Sequence, residues 1–278
     1  PLLIVTAVNY SQNRAMEESA ESESIRLAYA DLDHIAEGVY TLISSHQEGN
    51  EKNLRNALNV ARKVLSERGA VSLDKEKVTW TVVNQFTKAS TTQELPKMRA
   101  GETWFGQVRD PKTPVPVVDQ VKDLVEVSCT VFQRMNEAGD MLRVATNVLE
   151  KDGTRAVGTY IPALGPDGQP NPVVSTLLKG QTFSGRAFVV DRWYIAAYEP
   201  VYDTNKGITG ALYVGIPQES VKGLREAVMN IKVGKTGYVW VLDSKGRYVI
   251  SQGGKRDGED ISSSKDDKGN PFIQQIVQ

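Results

Sequence analysis

From residue 9 to residue 48 the chain carries no proline, and Gly38 is its only glycine there. Ile25, Ala28, Leu32, Ile35, Val39 and Leu42 follow the alternating three- and four-residue spacing of a heptad seam. The stretch before the seam, Glu17–Ser24, is polar on every side. A helix polar all round is solvent-bridging or not stable alone. At 1.5 Å per residue, residues 9–48 make a rod of roughly 60 Å, where a globular helix averages about 11–12 residues. The apolar run Leu2–Val8 is shorter than the roughly 20 residues that span a bilayer. It reads either as the start of a buried element or as the end of a transmembrane helix. The polar and then amphipathic rod behind it favours the second: a stalk leaving a membrane. Gly49 and Asn50 are expected to break the rod. A second helix then runs from an Asn50 N-cap to Gly69 past its C-terminus, with Leu54, Ala57, Leu58, Ala61, Val64 and Leu65 on its apolar face.

From Lys77 the period changes. Val78, Trp80, Val82 and Gln85–Phe86 suggest a strand, and 103–107 a short one. A proline-rich loop at 111–116 precedes a short helix over 117–127. Strands are expected over 129–133, 141–148, 185–190, 193–202 and 208–216, with a short helical segment at 173–178. Their turns include Asn136–Gly139, Asp191–Arg192 and Asp203–Gly207. Short turns between neighbouring strands imply an antiparallel sheet, and the flanking helices make the class α+β. After Pro217 the order restarts, with a helix over 218–230, a strand over 236–243, a Ser244–Gly246 turn and a strand over 247–251. This second unit, 217–278, looks like half a module. The expected divisions are thus 1–50 (end of a transmembrane segment and stalk), 51–216 (a sheet module) and 217–278 (an incomplete second one).

Charge and composition narrow the function classes. Lys and Arg total 33 against 34 Asp and Glu, a net charge of −1, which argues against a nucleic-acid partner. Hydrophobic residues make up 40% of the chain, enough for a folded domain. One cysteine, Cys129, forms neither an internal disulfide nor a zinc site. The two histidines, His34 and His46, fall on or beside the helical seam, so no nucleophile–base pair is expected at a strand end. Gly234–Lys235–Thr236 lacks the earlier glycine of a phosphate loop, since position 229 is Met. Asp266–Asn270 lacks the alternating ligands of a calcium loop. No enzyme activity, cofactor or metal is expected.

The chemistry-bearing pattern is arginine and tyrosine on one sheet. Arg143 and Arg155 flank one hairpin, and Arg186 and Arg192 the next. Side chains alternate across a strand, so Tyr194, Ala196 and Tyr198 share a face. A mid-strand arginine facing a core is costly unless paired, and no acid stands two residues from Arg143 on its own strand. A guanidinium fork walled by phenols suits a small anion such as a carboxylate, and a carbonyl or an aromatic amine also fits these donors and rings. The expected contacts are Arg143, Arg186, Tyr194 and Tyr198, with Thr146, Thr159 and Trp104 as secondary candidates. The alternatives are a solvated Arg/Tyr face, or Arg143 paired to Glu126 or Glu199 across the sheet.

Several runs together carry a resemblance. They are Asp140–Val148 with Asp152–Pro162, Gly185–Val190 with Tyr194–Pro200, Gly210–Ile216, and Val233–Asp243 with Gly246. They resemble the extracytoplasmic sensor regions of bacterial methyl-accepting chemotaxis proteins of the double-Cache type. The resemblance covers residues 10–278 in element order. It implies a long helix rising from a first transmembrane segment, a PAS-like distal module that binds a small molecule, and a proximal module leading to a second transmembrane helix and a signalling domain. It further implies a parallel homodimer through the stalk and a periplasmic location at the inner membrane. The transmembrane helices, the rest of the proximal module and the output domain are expected to be missing from this sequence. A histidine kinase or cyclase would carry the same kind of sensor, and a structural ectodomain without a small ligand is the further rival.

Overall fold

The computed structural model describes residues 2–217 and 222–277. The expected start of the helix at 218–221 lies outside them. The chain divides into two compact units, Pro1–Gln47 with Lys222–Gln278, and Glu48–Val221.

A single helix, α1, spans Leu2–Glu67. The break expected at Gly49–Asn50 is absent. A glycine inside a helix costs only about 1 kcal/mol relative to alanine, and Gly49 does not take positive φ. The separate second helix expected after Asn50 is therefore the continuation of α1. Among the described residues, no helix is long and apolar enough to cross a membrane.

In the unit Glu48–Val221, nine strands form one sheet: β1 Val71–Asn84, β2 Ser90–Ala100, β3 Thr103–Trp104, β4 Ser128–Arg134, β5 Met141–Thr146, β6 Thr159–Ile161, β7 Phe183–Val189, β8 Arg192–Tyr202 and β9 Ile208–Pro217. Their order across the sheet is β3-β2-β1-β6-β5-β4-β9-β8-β7. Every pair is antiparallel except β1–β6, which is parallel through Val83–Thr159 and Asn84–Tyr160. Helices α2, Val118–Val125, and α3, Pro172–Leu178, pack on it.

Two apolar layers sandwich the sheet. On one face Leu54, Ala57, Leu58, Ala61, Val64 and Leu65 of α1 pack with Val118 and Val121 of α2 over Cys129, Val131, Val144, Leu212 and Val214. The apolar stripe expected for residues 51–68 thus lies against the sheet. On the other face Val173, Val174 and Leu177 of α3 close over Phe132, Met141, Ala196, Tyr198 and Tyr213. The middle strands are consequently buried on both faces; all of β5 is buried.

In the unit Pro1–Gln47 with Lys222–Gln278, helix α4, Lys222–Met229, is followed by two small ribbons. These are β10 Lys232–Val233 with β11 Gly237–Tyr238, and β12 Val241–Leu242 with β13 Tyr248–Ile250. A short helix α5, Phe272–Ile276, closes it. The continuous strand expected over 236–243 is split in two. Val39 of α1 is buried with Val228 and Ile250, and Ile35, Ile43 and Leu224 pack around them. The rest of the seam diverges from that contact: Ile25, Leu32 and Leu42 are exposed by 50%, 42% and 41%.

Candidate functional site

Arg143 stands in the middle of β5 and is fully buried. Its Nη1 donates to Thr159 Oγ1 at 3.0 Å and its Nη2 to Gln85 Oε1 at 3.0 Å, while Nε has no partner. The guanidinium lies 5.0 Å over the Phe132 ring. Among the described residues no carboxylate reaches it. The pairing to Glu199 or Glu126 weighed from sequence is not formed. Glu199 points through the other face to α1, where Arg62 holds it by contacts of 2.5, 2.9 and 3.2 Å.

Local structure explains how Thr159 and Gln85 reach Arg143. Gly158 has φ of +91° and would put a Cβ 2.8 Å from Thr81 O. It accepts from Val83 N and donates to Arg143 O. That crossing, which only glycine fits, brings β6 between β1 and β5. Thr159 follows at once, and its hydroxyl also donates to Ala156 O at 2.7 Å. Gln85, just past the end of β1, is fixed from its other end by donation to Phe188 O at 3.3 Å.

Three phenols, Tyr198, Tyr213 and Tyr194, lie near this guanidinium. The Tyr198 and Tyr213 rings lie 4.8 Å apart, and neither hydroxyl has a partner. Tyr213 folds over Gly215, where a Cβ would fall 2.1 Å from the phenolic oxygen. Burial holds both phenols well above the usual tyrosine range, so each is a neutral O–H donor, and burial pushes the Arg143 guanidinium downward. An arginine offers five N–H donors and no acceptor; two are used here. This buried floor is therefore rich in unused donors and poor in acceptors, the complement of an acceptor-only group such as a carboxylate.

Arg155 is the internal control. It too is buried, yet it donates to both oxygens of Asp119 at 2.8 Å and to the carbonyls of Asp110, Pro111, Thr113 and Thr146. It staples the loop at 110–119 to β5 and needs nothing further.

Beside the floor lies a cleft of about 560 Å³, walled by Phe183, Arg186, Phe188, Trp193 and the loop 165–172. Gln85 and Tyr198 line it as well and are the link between the cleft and Arg143. Asn171 caps α3 by accepting from Val173 N at 3.0 Å, which fixes the loop's exit. Arg186 is exposed and stacks on Trp193 at 4.1 Å.

The structure thus brings Arg143, Thr159, Tyr194 and Tyr198 to one floor and places Arg186 at the cleft beside it. Thr146 lies further along β5, its hydroxyl paired with Thr130 at 2.6 Å. Trp104 sits on β3 at the far edge of the sheet from β7, with Lys97 over its ring at 4.9 Å. Gln85, Phe132 and Tyr213 are not among the expected contacts. Gln85 was expected within a strand, but it lies just past the end of β1 and reaches the site through the parallel β1–β6 pairing.

A helix-backed, mainly antiparallel sheet with a cleft on its other face defines a sensor module of the PAS-like α+β class. The chain belongs to the Cache 3/Cache 2 fusion domain family, which it matches over residues 17–278. Cache domains are extracellular sensor domains, and the match is to no enzyme family. Among solved structures, the E. coli DcuS sensor domain is similar at 17% identity and a TM-score of 0.26, over 40% of this chain and 70% of that one. An extracellular domain of mmHK1S-Z2, assigned as a histidine kinase, is similar at 12% identity and a TM-score of 0.35, over 58% of this chain and 64% of that one. No curated protein matches the chain.

Proposed function

We propose that this chain is the extracytoplasmic ligand-binding region of a membrane-anchored bacterial chemoreceptor, and that it binds a small organic anion, a carboxylate, beside Arg143. The observation that carries the reading is the fully buried Arg143 guanidinium with only two neutral acceptors. An uncompensated buried charge is expensive, and a carboxylate supplies both the missing charge and the missing acceptors. Tyr198 and Tyr194 add phenolic donors and apolar wall, Thr159 holds the guanidinium in place, and Arg186 draws the anion to the cleft. The division proposed is a stalk to residue 50, a ligand-binding module to 216 and a proximal module from 217.

Signal transfer requires that ligand favour one arrangement of the module over another. Strand β8 offers the route. Tyr198 faces the site while its neighbour Glu199 faces α1 and grips Arg62. A shift of β8 on ligand binding is thereby passed to the helix, with a coupling of roughly 1–3 kcal/mol typical of such devices.

The test is calorimetry with acetate, pyruvate, succinate and benzoate, each against its primary amide. At least one carboxylate binds and its amide does not, and Arg143→Ala loses more than about tenfold in affinity. Unchanged affinity in both Arg143→Ala and Arg186→Ala would sink the assignment.

A further inference from the structure

A second groove, of about 410 Å³, shares no lining residue with the cleft near Arg143. It lies where the turn after β4 and the turn before β9 meet the β1–β2 ribbon. Leu73, Leu95, Met135 and Ile208 give it apolar walls. Two nearly fully buried side chains in its lining have polar atoms without a partner: Gln133 Oε1 and Thr209 Oγ1. The orientation of Gln133 is fixed, because its Nε2 donates to Pro96 O at 2.9 Å. What it presents is therefore an acceptor alone. Thr209 occupies a bulge: Val201 pairs with Gly210 and Tyr202 with Ile208, leaving Thr209 without a partner opposite. Bulges re-aim side chains in this way and are frequent beside binding sites.

The rim decides the sign of the occupant. Asp203 uses Oδ1 to accept from Asn205 N and Gly207 N, leaving Oδ2 unused among the described residues. Glu137 is exposed. The one guanidinium at the rim, Arg134, is turned onto the carbonyls of Asn136 and Glu137 at 2.9 and 2.7 Å. Two carboxylates and an orphaned amide oxygen thus stand against one cation already engaged by its own turn.

We propose that this groove is a second binding site, for a small organic amine with an apolar body. An ammonium group carries three donors and no acceptor. Gln133 Oε1, Thr209 Oγ1 and the Asp203 carboxylate receive them, while the apolar walls cover the alkyl chain. The site is independent of the carboxylate reading.

Titration calorimetry with n-hexylammonium as probe and 1-hexanol as its neutral match tests this. Thr209→Val keeps the shape and removes a hydroxyl that the fold does not use, so the variant remains folded. Glu137→Gln removes a rim charge at an exposed position. Saturable binding of n-hexylammonium is expected, about fivefold or more weaker in Thr209→Val. Weakening in Glu137→Gln, and an alcohol at least about tenfold weaker than the amine, are expected too. No saturable binding up to about 10 mM, equal affinity in both variants, or an alcohol that matches the amine would overturn the proposal.

Discussion

Replacing Arg155 or Arg143 by methionine has opposite expected outcomes. Arg155→Met strands Asp119 and four carbonyls and should destabilise by about 3–5 kcal/mol, the cost of breaking a buried pair. Arg143→Met instead removes a buried cation that no acid compensates. In urea denaturation of the ligand-free protein it should be neutral or stabilising by about 1–4 kcal/mol, while carboxylate binding is lost. A destabilised Arg143→Met would mean that the arginine serves the fold. The phenols add a pH signature. Burial raises Tyr198 and Tyr213 in the folded state, whereas in the unfolded chain they titrate near about pH 10. Their contribution is complete below about pH 10 and declines progressively above it. Tyr213→Phe should flatten the alkaline fall in stability above about pH 10, measured by urea unfolding. Arg143 was legible in the sequence, because a charge in the middle of an apolar strand has few explanations. Gln85 was not, because its role comes from a parallel contact between strands far apart in the chain.

At the scale of elements, α1 is tied to β8, the strand that carries Tyr198, through Arg62 and Glu199. Arg62 is 57% exposed and Glu199 only 11%, so solvent screens the pair and its worth to stability is small. Its expected worth is to coupling. In hydrogen exchange, a bound carboxylate should protect α1 amides around Arg62 in the wild type and leave them unchanged in Arg62→Ala, with affinity altered less than about twofold. Equal protection in both would remove this route. Strands β4, β5, β7, β8 and β9 were readable from their apolar runs and turn residues. The β2 edge was not: Ser90–Ala100 is mostly polar and contains Pro96, a composition that suits a twisted outer strand but mimics a loop. Three-residue β6 was hidden for a different reason, being placed by the Gly158 crossing rather than by any periodicity. The helix break expected at Gly49 failed because the neighbouring turns carry the helix through it.

For the whole molecule, Ile25, Leu32 and Leu42 leave a heptad-spaced apolar stripe exposed on α1, and the proposed parallel homodimer would cover it. Sedimentation at rising concentration should detect self-association that Leu32→Glu abolishes; identical behaviour of the two proteins would exclude α1 as the contact. The overall plan was legible because several runs in fixed order resemble one family, whereas the position of the cleft depends on the loop 165–172, which has no regular pattern to read. Cys129 has a further use. It is the only thiol in the chain, buried in the core between the sheet and its helical layer, with its ionisation suppressed by burial. A thiol in that state ignores alkylating reagents until the layer above it opens. The native sequence therefore carries its own clock: the rate at which Cys129 is alkylated counts openings of the sheet module, and any ligand that binds the closed form slows it in proportion to occupancy, with no label added.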